Sequence, residues 1–233
     1  MSTVEIDTPD DAMNIMLNTW LKYQAISGRI WGRTAYYQTG GAIGFRDQLQ
    51  DSQIFLPIDS ERTKNQILLH ARHQFKDGTV YHWWHPISEI GLQNKISDNL
   101  LWLPFVLNNY LNETNDFAIL ECREPFVDDA NSASIYDHCI RAINRALERF
   151  SPRGLPLIGA GDWNDGLSAA GLDMKGESVW LGHFCYVRQH RRSGLEILRP
   201  RRLDVVHRFC GLAFQSRTRI DSRHSSDGCR TRG

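Results

Sequence analysis

Along most of this chain apolar residues recur at three- and four-residue steps, the period of helices with one buried face. Over residues 10–26, Ala12, Ile15, Met16, Thr19, Trp20 and Tyr23 form such a stripe, and Thr8-Pro9-Asp10 ahead of it offers a cap and a first-turn proline. Residues 33–44 are rich in glycine and tyrosine and read as a loop or short strands leading into a helix that carries Asp47. A second amphipathic helix is predicted over 60–75, ended before Asp77-Gly78, with a loop over 80–86. Ser97 is expected to cap a third helix through residue 111, apolar on all sides and therefore buried. Residues 132–150 form a clearly amphipathic helical pattern, stopped by Ser151-Pro152-Arg153-Gly154. A glycine-rich loop over 159–171 precedes a last helix beginning near 175.

Helices joined by long aromatic loops predict an all-α fold of helix pairs around an axis, with chemistry on the loops at one end. An irregular all-α domain is the alternative. The pattern breaks near residue 187. Residues 188–233 hold twelve Arg, no Lys and four acids, whereas residues 1–187 hold fifteen bases and twenty-three acids, so zero net charge hides two opposite halves. The expected domains are therefore 1–187, catalytic, and 188–233, a basic tail of low order. A nucleic-acid arm is one reading of that tail. Its lack of Lys and of aromatic interleaving favours the other, a coding sequence read out of frame. No nucleic-acid partner is expected.

Five cysteines without CxxC spacing fit a reducing, cytoplasmic setting better than a disulfide framework. No apolar run reaches the roughly 18 residues of a membrane span. His82 and His85 lack a third ligand at a telling distance, so no metal is expected.

Four stretches can carry chemistry. In Gly44-Phe45-Arg46-Asp47-Gln48-Leu49-Gln50-Asp51, Asp47 and Asp51 share one helical face, which suits either a solvated helix start or a cleft facing hydroxyls. Tyr81-His82-Trp83-Trp84-His85-Pro86 offers indoles that either stack on sugar rings or form an aromatic corner of the core. Ser97-Asp98-Asn99 puts a carboxyl at the start of an apolar helix, as a cap or as a general acid. Gly161-Asp162-Trp163-Asn164-Asp165-Gly166 sets two acids and an amide beside an indole, groups suited to a polyhydroxylated ligand.

These four stretches, with Tyr36-Tyr37-Gln38 and Gly176-Glu177-Ser178-Val179-Trp180, occur in the order seen in glycoside hydrolase family 94, which the chain resembles over about residues 8–187. That family includes cellobiose, chitobiose and β-1,2-oligoglucan phosphorylases and the phosphorylase-like domain of cyclic β-1,2-glucan synthases; the resemblance looks most like the last. It implies roughly half of an (α/α)6 barrel and inverting phosphorolysis of a β-glucoside to α-glucose 1-phosphate, or the reverse. The partners implied are a β-linked gluco-oligosaccharide and phosphate or glucose 1-phosphate, with inorganic phosphate as co-substrate and no cofactor. The parent protein would be attached to a membrane-embedded synthase.

By motif, Asp98 is implied as the general acid, and Arg46 and Asp47 as binders of the reacting sugar. Glu177 would contact the acceptor sugar. Trp84 would stack on sugar, while Asp162 and Asp165 would bind sugar or brace their loop. One carboxylic acid can suffice because phosphate, already an anion, replaces the water that an inverting hydrolase must activate with a second carboxylate. Asn99 stands where many relatives carry Asp, and Ile96 where disaccharide phosphorylases often carry Trp. None of His190, His207 or His224 lies in a matching phosphate-site motif, so the resemblance implies an incomplete phosphate site. An inert sugar-binding fragment and an inverting β-glucoside hydrolase stay open as alternatives.

Overall fold

The structure, a computed structural model, describes residues 5–31 and 41–190. The Arg-rich stretch from 191 onward and Tyr36-Tyr37-Gln38 lie outside the described residues. The chain divides into two compact units, one from residues up to 94 with 99–142, the other from 95–98 with 143 onward.

The first unit opens on a helical run in four pieces: α1 (Asp11–Ile15), a π turn (Met16–Trp20), α2 (Leu21–Ala25) and a second π turn (Ile26–Ile30). The Asp10 carboxylate accepts from the backbone N–H groups of Ala12 and Met13, ordinary N-cap geometry. The predicted stripe does not stay on one buried face. Each π turn bonds over five residues instead of four and so rotates the stripe. Ile26 and Ile30 pack on Phe55, while Ile15, Met16, Trp20 and Tyr23 remain exposed.

β1 (Ile43–Gly44) leads into α3 (Phe45–Ser52), and α4 (Ser60–Ala71) is tied to it by the Thr63 hydroxyl donating to the Ser52 carbonyl, 2.7 Å. The stretch expected as a loop over 80–86 is instead a strand, β2 (Tyr81–Trp84), between β1 and β3 (Gly91–Gln93) in a three-stranded antiparallel sheet. The reason is local: Tyr81, Trp83 and Trp84 carry aromatic rings that favour strands.

α5 (Trp102–Thr114) is buried nearly all round, as its composition predicts, and ends on Asn115 in a left-handed conformation, φ 55°. It begins later than expected, after a 3-10 turn over Asn99–Leu101. A two-residue ladder, β4 (Arg123–Glu124) with β5 (Ala133–Ser134), precedes α6 (Ile135–Leu147). Ser134 is the cap of α6: its Oγ accepts from the Asp137 N–H at 3.1 Å and donates to the Asp137 carboxylate at 2.8 Å. His138 on α6 is buried between the Gln74 amide and the Glu124 carbonyl. Among the described residues the fold is thus helical with two small antiparallel sheets rather than purely α.

The second unit contains the end of α6, a turn closing a Phe150–Pro156 bridge, the glycine-rich loop, and α7 (Val179–His190). Ser178 caps α7 by accepting from Leu181 N–H at 2.9 Å. Among the described residues, no helix is long and apolar enough to cross a membrane.

Candidate functional site

Two of the sequence stretches meet in the first unit. Gly44 is extended (φ −91°, ψ 135°) and pairs with Trp83, and Ile43 pairs with Trp84, so the strand carrying the indoles fixes the start of α3. Gln48 closes that start by accepting from Gly44 N–H at 2.6 Å. From the first turn of α3, Arg46 is buried and Asp47 half-buried. Asp51, which the helical period places on the Asp47 face, is held by Arg29 at 2.5 Å.

Trp84 requires a correction. Its indole was expected to offer a face to sugar, but it is fully buried. His73 stacks on it at 3.8 Å and 16°, and His70 meets it edge-on at 5.1 Å. No face is left for a ligand; Trp84 braces the strand. His70 is itself fully buried and donates from Nδ1 to the Gln66 carbonyl at 2.7 Å. Burial drives its pKa down to about 3, so it stays neutral. His73 reaches the Leu69 carbonyl through Nδ1 and the Glu89 carboxylate through Nε2.

Sequence reasoning missed the pairing of His82 with Asn99. The Asn99 amide nitrogen lies 3.0 Å from His82 Nδ1, which fixes the residue after Asp98 to β2. The other polar atom of that amide is buried without a hydrogen-bond partner.

The other stretches meet in the second unit. Ser97 does not cap α5. Its N–H and Oγ both donate to the Gly161 carbonyl, at 2.9 and 3.2 Å, while Ala160 N–H donates to the Lys95 carbonyl. Ile96 bridges Gly159, and Arg149, whose pKa burial lowers, donates to the same Lys95 carbonyl at 3.0 Å. Gly159 has to be glycine: φ is 61°, and a Cβ would stand 2.2 Å from the Lys95 oxygen. Asp98, fully buried, rides on this pinned segment beside the loop that carries Asp162, Trp163 and Asp165.

Within that loop the two acids differ. Asp162 is buried; one oxygen accepts from the Asn164 backbone and side-chain amides (2.8 and 3.1 Å) and the other from Ser178 Oγ (2.5 Å). This is a brace linking the loop to the start of α7. Asp165 is exposed. Glu177 is half-buried and pairs with Arg153 at 3.1 Å. Trp163 is 43% exposed and stacks on Trp180. The structure therefore gathers Arg46, Asp47 and Trp84 in one unit and Asp98, Asp162, Asp165 and Glu177 in the other.

Residues 1–200 match the model of the glycosyl hydrolase 94 superfamily, catalytic domain, and the chain belongs to that family. It is 42% identical over 198 residues to cyclic β-(1,2)-glucan synthase NdvB of Rhizobium meliloti, covering 78% of this chain and 7% of that protein. It is 32% identical over 187 residues to solabiose phosphorylase of Paenibacillus borealis, covering 78% of this chain and 22% of the relative. A 3-O-β-D-glucopyranosyl-β-D-glucuronide phosphorylase of the same organism is 29% identical over 179 residues, 75% of this chain and 22% of its own. The chain thus spans less than a quarter of the length of each of these relatives.

Proposed function

We propose that this chain carries the glucosyl-binding and proton-donating part of an inverting β-glucoside phosphorylase site, as in the phosphorylase-like region of a cyclic β-1,2-glucan synthase. In this reading residues 1–187 are about half of an (α/α)6 barrel and the Arg-rich tail is an out-of-frame extension. Asp98 protonates the departing glycosidic oxygen. Arg46 and Asp47 hold the hydroxyls of the reacting glucosyl ring, Arg46 as donor and Asp47 as acceptor. Glu177 lies toward the acceptor sugar, and Asp162 braces. Inorganic phosphate, the co-substrate implied by the phosphorylase relatives, attacks the anomeric carbon from the face opposite the leaving group and forms α-glucose 1-phosphate; the groups that hold it are expected beyond the matched motifs.

The observation that supports this reading best is the placement of Asp98. A carboxyl-bearing residue is wholly buried on a segment held by backbone hydrogen bonds to the Gly161 loop, so two separate family motifs support one acid. A positioned acid of this kind contributes about 10²–10⁴-fold to rate.

The test is calorimetric and chemical. A β-linked gluco-oligosaccharide is expected to bind the 233-residue chain, with at least tenfold weaker binding in Arg46→Ala and Asp47→Ala. Any phosphate-dependent release of glucose 1-phosphate should fall by about 10²–10⁴ in Asp98→Asn, with an unchanged circular dichroism spectrum. Near-normal turnover by that variant overturns the assignment of the acid. Free glucose released without phosphate replaces the reading with a hydrolase, and binding without turnover with a sugar-binding fragment.

A further inference from the structure

His73 is buried just beyond the end of α4, and each of its two ring nitrogens meets an acceptor oxygen. Nδ1 lies 2.8 Å from the Leu69 carbonyl and Nε2 2.7 Å from the Glu89 carboxylate. A carbonyl and an ionised carboxylate only accept, while a neutral imidazole carries a single N–H. Both contacts are satisfied at once when the ring holds two protons and is an imidazolium. The ring also lies flat on the Trp84 indole, 3.8 Å away and 16° from parallel, where a cation meets an electron-rich face. His70 makes no such demand, since its Nε2 is 3.5 Å from the Gly44 carbonyl, longer than an ordinary N–H···O bond.

Glu89 holds the other end of this contact under strain. It stands in the turn between β2 and β3 with φ 56°, a left-handed conformation that a long side chain rarely adopts. Its N–H donates to the His85 carbonyl at 2.8 Å, and His85 N–H donates to the Ile90 carbonyl at 2.9 Å. Ile87 and Ile90 are exposed, so little apolar burial keeps this turn closed. We infer that His73 and Glu89 form a proton-operated latch: the imidazolium locks the turn over 85–90 onto the end of α4, and loss of one proton lets the turn open. When the Nε2 proton passes to solvent, the Nδ1–H stays on the Leu69 carbonyl and a lone pair faces the carboxylate. The Glu89 side chain, 62% exposed, then turns to water and its backbone relaxes. The other titratable groups around the ring leave it to Glu89. On the side of α4, His70 is neutral and Arg72 is taken by the Glu124 carboxylate at 2.5 and 3.1 Å. From β2 the Tyr81 ring stands 6.4 Å away. The latch bears on the frame of the candidate site, because Trp84 pairs with Gly91 beside the turn and with Ile43 just ahead of α3.

This inference goes beyond the sugar-binding reading and does not depend on it. Its test is NMR of the ¹⁵N-labelled 233-residue chain from about pH 6 to about pH 9, a span in which a histidine exchanges its charge. At the acid end both ring nitrogens of His73, identified by their loss in His73→Gln, should carry protons. At the alkaline end Nε2 should be bare. Exchange protection of the His85 and Glu89 amides, corrected for the intrinsic rate, should fall about tenfold across the same span, while the amides of α5 keep theirs. Glu89→Gln, a change at a mostly exposed side chain, should abolish this response and leave α5 protected. A bare ring nitrogen at about pH 6 overturns the latch. So does turn protection that stays constant with pH, or a pH response that survives Glu89→Gln. A loss of protection shared equally by α5 reports unfolding of the whole unit and overturns the latch as well.

Discussion

Trp84 and Trp163 come from neighbouring kinds of sequence, aromatic stretches dense in polar partners, yet their fates are opposite. Trp84 sits on the central strand of a small sheet, paired with Ile43 on one side and Gly91 on the other, and its ring is buried between His70 and His73. Trp163 sits between glycines on a turn, where no ladder fixes which face is buried, and it stacks on Trp180. An indole on a strand braces; an indole on a glycine-flanked turn is displayed. The backbone, more than the local composition, decides which of the two a tryptophan does.

The sharpest way to break this comparison is truncation. Trp84→Ala should cost about 3–5 kcal/mol in urea denaturation followed by circular dichroism, the range for emptying a buried aromatic site. Trp163→Ala should cost about 1 kcal/mol or less, since much of the ring is already exposed. Equal losses would erase the distinction. Next in size is Gly159→Ala, expected to cost about 2–3 kcal/mol because the left-handed φ and the clash with Lys95 both oppose a side chain. It should broaden the Trp163 indole resonance while leaving that of Trp84 in place.

Acid sharpens the comparison from the Trp84 side. The folded pKa of His70, about 3, lies below its unfolded value near 6.5. Between those limits the unfolded chain binds a proton that the folded chain refuses, so stability falls as pH drops through that window, by up to about 1.4 kcal/mol per pH unit. His138, lowered for the same reason of burial, adds in the same direction. Denaturation midpoints measured from pH 7 to 4 should show this slope, and His70→Gln should flatten it. An unchanged slope in that variant would remove His70 as the cause. The smallest effect is expected from Arg153→Gln, which releases Glu177 from an ion pair whose arginine is mostly exposed. Less than about 1 kcal/mol should be lost in the same denaturation series.

Much of the helical framework was legible in the residues. The all-round apolar stretch within 97–111 predicts a buried helix, and α5 is buried; the clearly amphipathic 132–150 predicts α6 to within three residues. Two features were not legible. The hydroxyl of Ser97 reads as a cap, but its partner is a carbonyl 64 residues away, and no local pattern announces a backbone contact of that span. The stripe of the first helical run reveals amphipathicity without naming what covers it, and the π turns that rotate it leave no compositional trace. Of the candidate site, Asp98 and Asp162 are recognisable as motif carboxyls. Only hydrogen bonding separates the brace from the rest.

Gly159 gives evolution and engineering alike a position with no gradations. A hydrogen atom is the only side group the Lys95 oxygen admits there, so the tether beside Asp98 cannot be tuned by small steps at that codon. Anyone wishing to loosen or tighten it would have to work from the opposite side of the bridge, at residues 95–97, where bulk and polarity can be varied one group at a time.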